Sequence, residues 1–306
     1  FEEAICYLDI SSKHNMVAVS QHRNLKNDQL WQVWNALVLG LRDYADKNGF
    51  RSVVLGLSGG IDSAVCASLA VDALGSDRVF GVSMPSIFSS DHSQSDAFDL
   101  AERLEIDIRT QPIARMVESF ESELALSGLA SENLQARMRG VILMALSNQE
   151  GHLTLTTGNK TELAVGYSTI YGDSVGGFAP LKDVAKTLVW QLAKWRNAWA
   201  VEQGQQPPIP ENSISKPPSA ELRPGQVDQD SLPEYDVLDQ ILDAYIERRL
   251  GRVQIKALGF ESATVDRVIA LVDRAEWKRR QGAIGPKITG MAFGRDRRLP
   301  ITNKYS

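Results

Sequence analysis

The chain has 306 residues, 43% hydrophobic and 23% charged, the composition of a globular protein able to bury a substantial core. Lys and Arg number 33 against 38 Asp and Glu, a net charge of −5 that speaks against a broad nucleic-acid surface, and no run approaches the roughly 18 consecutive apolar residues of a membrane helix. Two distant cysteines, Cys6 and Cys66, and four scattered histidines exclude a disulfide framework and a zinc spacing, so a reducing, cytoplasmic setting is expected.

Residues 4–10, Ala-Ile-Cys-Tyr-Leu-Asp-Ile, read as a strand with no evident partner, and 12–27 as a polar linker. The chain opens on Phe1 rather than Met, so a segment upstream is expected to have been removed; residues 1–27 read as an N-terminal strand and linker, with 28–306 as the main domain. From Gln29 to Lys47, Leu30, Val33, Trp34, Leu37, Val38, Leu41 and Tyr44 recur at helical spacing. A buried strand is predicted over 52–57, a helix over 62–74 ending at Gly75, and a second strand over Val79–Met84. A helix follows from Asp91 to Leu104 behind Ser89-Ser90, then a short strand from Ile106 to Arg109. This alternation predicts an α/β fold with a doubly wound parallel sheet.

The next helix is predicted from Ser131, as its cap, to Gln149. Its apolar face of Leu134, Met138, Val141, Ile142, Ala145 and Leu146 suits a core or a subunit interface. Leu153–Thr157 reads as a strand, followed by a glycine turn and a polar loop. A helix over 182–203 carries Trp190, Trp195 and Trp199 as packing anchors. The polar, proline-rich stretch 204–233 is long enough to be either disordered or functional, and a lid is the expectation. Helices over 234–250 and 262–276 and the basic Lys278-Arg279-Arg280 complete the pattern.

The most informative segment is Ser58-Gly59-Gly60-Ile61-Asp62-Ser63, between the predicted first strand and its helix. A glycine turn at a helix start brings free backbone N–H groups together on an anion, and the Ser58 and Ser63 hydroxyls add donors. No lysine lies between Lys47 and Lys160, so this is not the G-x-x-x-x-G-K-[ST] loop; nor is it G-x-G-x-x-G. An aspartate in a phosphate loop would repel its ligand unless a hard cation such as Mg²⁺ stood between them. Ligands of open parallel sheets lie beyond the carboxyl ends of the strands. The loop after Thr157 shares that rim, and Glu162 on it is the candidate second carboxylate. On a loop elsewhere, such a glutamate would be a solvated charge.

Ser-Gly-Gly-x-Asp-Ser resembles the pyrophosphate loop of N-type ATP pyrophosphatases. Thr157-Gly158-Asn159-Lys160-Thr161-Glu162, followed by Gly166-Tyr167-Ser168-Thr169-Ile170-Tyr171-Gly172-Asp173, is similar to NAD synthetase. So are Glu132–Arg137, Lys216–Leu222 and Lys278–Arg280, in the same order over residues 58 to 280. The resemblance implies a Rossmann-like, adenine nucleotide alpha hydrolase-like fold with extra C-terminal helices. It implies amidation of deamido-NAD to NAD through an adenylate, with AMP and pyrophosphate released. ATP would meet Ser58, Gly59, Gly60, Ile61, Asp62, Ser63, Thr157, Lys186 and Ser219, and Mg²⁺ would sit on Asp62 and Glu162. Deamido-NAD would meet Asn133, Arg137, Glu162, Tyr167 and Lys278, and Asp173 is the candidate proton acceptor from ammonium, or else a simple turn residue.

A homodimer is also implied. Thr157-Gly158-Asn159 stands where compact, ammonia-only members commonly have Thr-Asp-His, and Ile170 replaces a lysine. Both features resemble the synthetase half of glutamine-dependent members, in which a glutaminase domain lies upstream; the resemblance implies that residues 1–10 are the last strand of that domain and 1–27 its tail. No amidohydrolase triad can be assembled from this sequence, so free ammonia is its expected nitrogen donor. The alternatives are another ATP pyrophosphatase, such as a GMP synthetase-like amidotransferase or a tRNA-thiolating enzyme, and an ATP-sensing module without turnover. Thiolation would need a reactive cysteine near the loop, and Cys66, within a helix, suits that poorly.

Overall fold

Four parallel strands position everything that follows: β1 (Val53–Gly56), β2 (Val79–Ser83), β3 (Asp107–Thr110) and β4 (Leu153–Thr154), in the order β3-β2-β1-β4. The computed structural model describes residue 1 and residues 28–302; the strand expected at 4–10 and the linker at 12–27 lie outside the described residues. Val53 of β1 is in register with Val79 on one side and Leu153 on the other. The chain steps outward from β1 to β3, then returns to add β4 on the opposite edge of β1. Strand order therefore reverses between β1 and β4, where α/β sheets open a crevice for ligands.

Alternation along β1 sends Val53 and Leu55 into one apolar layer and Val54 into the other, as a strand covered on both faces requires. Helices α1 (Gln29–Lys47), α2 (Ile61–Leu74) and α3 (Asp91–Leu104) cover the first face, and α4 (Ala114–Leu124) and α5 (Leu129–Glu150) the second. After β4 come α6 (Lys160–Val165) and α7 (Lys186–Glu202), the latter packing back on α1 and α2. The segment that follows contains α8 (Glu211–Ser215). Then α9 (Tyr235–Leu242), α10 (Arg252–Lys256), α11 (Ser262–Arg274) and α12 (Glu276–Arg279) form the C-terminal helices. Leu238, Ile241, Ile255, Val265 and Val268 give these helices a second apolar core, shared with α6. No helix among the described residues is long and apolar enough to cross a membrane.

Several expectations are corrected. Helix α5 starts at Leu129 behind Gly128 (φ +56°) rather than at a Ser131 cap, and the Ser131 hydroxyl donates instead to Glu121 on the unpredicted α4. The last strand is paired only at Leu153–Thr154, because beyond it Leu155 bridges to Phe178 of a returning loop. The loop after it contains α6, opened by a capping box in which Asn159 and Glu162 bond each other's backbone N–H. The helix expected from 182 begins at Lys186, since Asp183 is drawn away to accept the Ile288 and Thr289 N–H groups, each at 2.8 Å. The 204–233 stretch is ordered and packed, with Ile209 and Ile214 buried. The 234–250 helix stops at Leu242 and continues as a π-helical turn to Glu247, and the 262–276 helix ends at Arg274.

Candidate active site

The loop after β1 is shaped by its own chain and by α3 and α8. Gly59 has φ +72°, and a Cβ there would lie 2.3 Å from the Ser93 carbonyl oxygen on α3, so only glycine fits. The Ser63 hydroxyl donates to the Gly60 carbonyl at 2.9 Å and accepts from the Ser58 N–H at 3.3 Å. From α8, the buried Ser213 hydroxyl pins the Gly59 carbonyl at 3.0 Å. Gly60 is the N-cap of α2 and has no side chain to cap it. The first turn of a 14-residue helix is thus left for an external anion, which the aligned peptide dipoles favour.

Three charged side chains from three elements meet beside this loop. Asp62, on the first turn of α2, accepts from the Lys186 ammonium at 2.5 Å and from the Asn159 amide at 2.9 Å. Glu162 of α6 lies 3.6 Å from the same ammonium. Burial and the neighbouring Asp62 charge push the Glu162 carboxyl well above the usual carboxylate range, against the pull of Lys186. Burial opposes the charge on Lys186, but Asp62 and Glu162 outweigh it and raise the ammonium above its ordinary value. The Trp190 and Tyr235 rings lie 5.6 and 5.3 Å from this ammonium and hold it by their π faces; Trp190 therefore does more than anchor packing.

The donor set suits Mg²⁺. Two carboxylates stand together, each with 18% of its side chain open, and among the described residues no group of three or more His, Cys, Asp or Glu forms a closed cage. A cation here would complete its shell with water and phosphate oxygens, as Mg²⁺ does and as a structural zinc, closed by four protein ligands, does not.

The cleft around these groups measures about 360 Å³, enough for a nucleotide-sized ligand. Of the residues singled out in the sequence, Ser58, Gly60, Ile61, Asp62, Ser63, Thr157, Glu162, Tyr167, Asp173, Lys186 and Ser219 line it. Gly59 shapes the loop without lining the cleft. Asn133, Arg137 and Lys278 do not line it either. They brace the 166–173 loop from behind: Asn133 accepts from the Thr169 hydroxyl at 2.8 Å, Arg137 donates to the Ile170 carbonyl at 3.2 Å, and Lys278 donates to the Gly166 and Ser168 carbonyls at 2.9 and 2.8 Å. Asp173 accepts from the Thr169 N–H at 2.5 Å. The protein packed around it pushes its carboxyl up to about 6. The residue is nevertheless exposed at the cleft surface, where solvent moderates the effect of burial.

The proline-rich stretch lines the cleft through Ser213, residues 216–222 and Asp228, and is tied down at two points in its second half. Glu221 accepts from the Ser90 and Ser93 hydroxyls of the α3 start at 2.9 and 2.7 Å, and Asp228 accepts from Tyr235 at 2.6 Å and Tyr167 at 3.2 Å. Sequence reasoning missed Asn159, Arg139 and Asp228. Arg139 donates to the Met84 carbonyl at 3.1 Å and lines the cleft with Ala136, Gly140 and Leu143. Burial lowers its pKa to about 10, partly offset by Glu221 and Asp173. The signal was there: a charge on an otherwise small or apolar i, i+3, i+4, i+7 stripe.

The sequence profile of NAD synthase matches residues 33–282. The chain is 52% identical over 284 residues to a glutamine-dependent NAD(+) synthetase from Acinetobacter baylyi, covering 91% of this chain and 52% of that protein. Among solved structures it resembles a glutamine-dependent NAD+ synthetase from Acinetobacter baumannii in complex with ADP, at 47% identity and a TM-score of 0.62, over 95% of this chain and 53% of that one. An NMN synthetase from Francisella tularensis is similar at 30% identity and a TM-score of 0.70, over 83% of this chain and 97% of that one. The chain spans about half the length of the curated relatives it matches.

Proposed function

The chain belongs to the NAD synthase family, and we propose that it is the synthetase unit, over residues 28–306, that amidates deamido-NAD at the expense of ATP in the cytoplasm. The observation that carries this reading is the meeting of Asp62, Glu162 and Lys186 beside the uncapped start of α2, at the β1–β4 crossing. A carboxylate resists ammonia because it is negatively charged and lacks a leaving group. Its attack on the α-phosphorus of ATP expels pyrophosphate and installs AMP as leaving group, which the nitrogen nucleophile then displaces.

Positioning and charge neutralisation dominate such a step. The α2 amides and the Ser58 and Ser63 hydroxyls would hold the departing pyrophosphate, and Lys186 would turn from the carboxylates to the phosphates. Mg²⁺ on Asp62 and Glu162, when bound, would supply further neutralisation there. Asp173 would take a proton from ammonium, its upward-shifted carboxyl being a better base than an ordinary one. The proline-rich stretch along the cleft would exclude the water that would hydrolyse the adenylate.

Free ammonia is the proposed donor for this chain, and a glutaminase domain upstream the proposed partner. The exposed Leu129, Val141, Met144 and Tyr171 support a homodimer on the α5 face.

The test is incubation with ATP, Mg²⁺, ammonium and deamido-NAD. NAD, AMP and pyrophosphate should appear in equal amounts, and Asp62→Ala should lower turnover by a factor on the order of 100 or more. Release of ADP, or turnover indifferent to the acid, would refute the reading. The similarity to an NMN synthetase makes nicotinic acid mononucleotide the competing substrate to run in parallel.

A further inference from the structure

Asp62 and Glu162 come from chain segments about a hundred residues apart, yet one residue bonds to both carboxylates. The Asn159 side-chain amide donates to Asp62 Oδ1 at 2.9 Å, and its backbone N–H donates to Glu162 Oε2 at 3.3 Å. Its side-chain oxygen is also engaged, accepting from the Glu162 N–H at 3.0 Å as the cap of α6. Asn159 is fully buried, so each of these bonds is shielded from competition by water. Lys186 also contacts both carboxylates, but it is a flexible ammonium needed elsewhere once phosphate arrives. We propose that Asn159 is a positioning residue that sets the spacing between the two carboxylates, so that they can share one divalent cation beside bound nucleotide. This inference rests on the proposed nucleotide reading of the site.

Capping and positioning can be separated by the choice of substitution. Asp and Ser are helix caps as good as Asn, so Asn159→Asp and Asn159→Ser should preserve the start of α6. Neither retains a donor for Asp62. The aspartate faces it with a like charge, and the serine is too short to reach it. The measurement is Mn²⁺ binding, followed by loss of the free-ion electron paramagnetic resonance signal, with a non-hydrolysable ATP analogue present. Thermal melting is recorded alongside.

Asn159→Ser should melt within about 3 °C of the parent, a shift of roughly 1 kcal/mol for a domain of this size, whereas Asn159→Asp, which buries a like charge beside Asp62, should melt lower. Both should bind Mn²⁺ at least tenfold more weakly. Affinity within twofold of the parent in both, or tighter binding in Asn159→Asp, would overturn the proposal. If Asn159→Asp does not fold, Asn159→Ser decides alone. Because the readout is binding, it stands apart from turnover: a parent protein that binds Mn²⁺ and the analogue but makes no AMP defeats the functional reading and leaves this one intact.

Discussion

Gly59→Ala is the substitution whose cost can be worked most directly from the structure. Two separate penalties meet at this position. The left-handed backbone (φ +72°) costs an L-residue roughly 1–2 kcal/mol. The new Cβ would also lie 2.3 Å from the Ser93 carbonyl oxygen and 3.0 Å from its carbonyl carbon and Cα. These are backbone atoms in the first turn of α3 and cannot swing aside as a side-chain tip would. Relieving such an overlap costs a further ~1–3 kcal/mol, for a total of about 2–5 kcal/mol.

Gly49→Ala separates the two terms, because Gly49 has φ +78° with nothing within 4 Å of the position its Cβ would take. It should show the backbone cost alone. The assay is urea unfolding of both variants and the parent, with ATP-analogue affinity measured on the same samples. Gly59→Ala should fall below Gly49→Ala by about 1–3 kcal/mol and should lose at least tenfold in nucleotide affinity, since the loop can escape only by moving away from α3. Equal stability in the two variants, with unchanged nucleotide binding, would refute the account of a loop shaped in advance against Ser93.

Other predictions concern charge. Lys160 makes ion pairs of 2.7 Å with both Asp183 and Glu247 while only 9% of its side chain is exposed. Lys160→Met should therefore cost about 3 kcal/mol by chemical denaturation; a loss below 1 kcal/mol would show that the pairs are well replaced. For Asp173 the folded carboxyl, at about 6, lies above the ordinary 3.8. Its contribution to stability is therefore complete below pH ~4 and disappears as pH rises through ~6. Melting temperatures taken from pH 4 to 7 should show Asp173→Asn gaining on the parent across that interval and holding level above it. A difference independent of pH would contradict the shift.

The glycine loop between β1 and α2 was legible in the sequence because its parts are contiguous. Strand, glycine turn and helix start lie within a dozen residues, and each follows from local rules of backbone freedom and helix termini. The apolar spacing of α1 and the Ser89-Ser90-Asp91 cluster before α3 placed those helices at the bounds later observed. Prediction weakened where local cues were overruled by distant partners. Helix α7 starts late because Asp183 is engaged by residues more than a hundred positions away, and the proline-rich stretch is held by Glu221 on Ser93 of α3 and by Asp228 on Tyr235 of α9.

The sequence alone therefore determined the parallel α/β class and the glycine turn between β1 and α2, since hydrophobic period and turn chemistry are short-range properties. Tertiary structure alone decided that Asn159 joins the Asp62 and Glu162 carboxylates and that Arg139 lines the cleft. It also decided that Asn133, Arg137 and Lys278 stand behind the 166–173 loop rather than in the cavity. Hydrogen bonds and burial between segments widely separated along the chain have no periodic signature in composition. They exist only once strand order has brought β4 back beside β1.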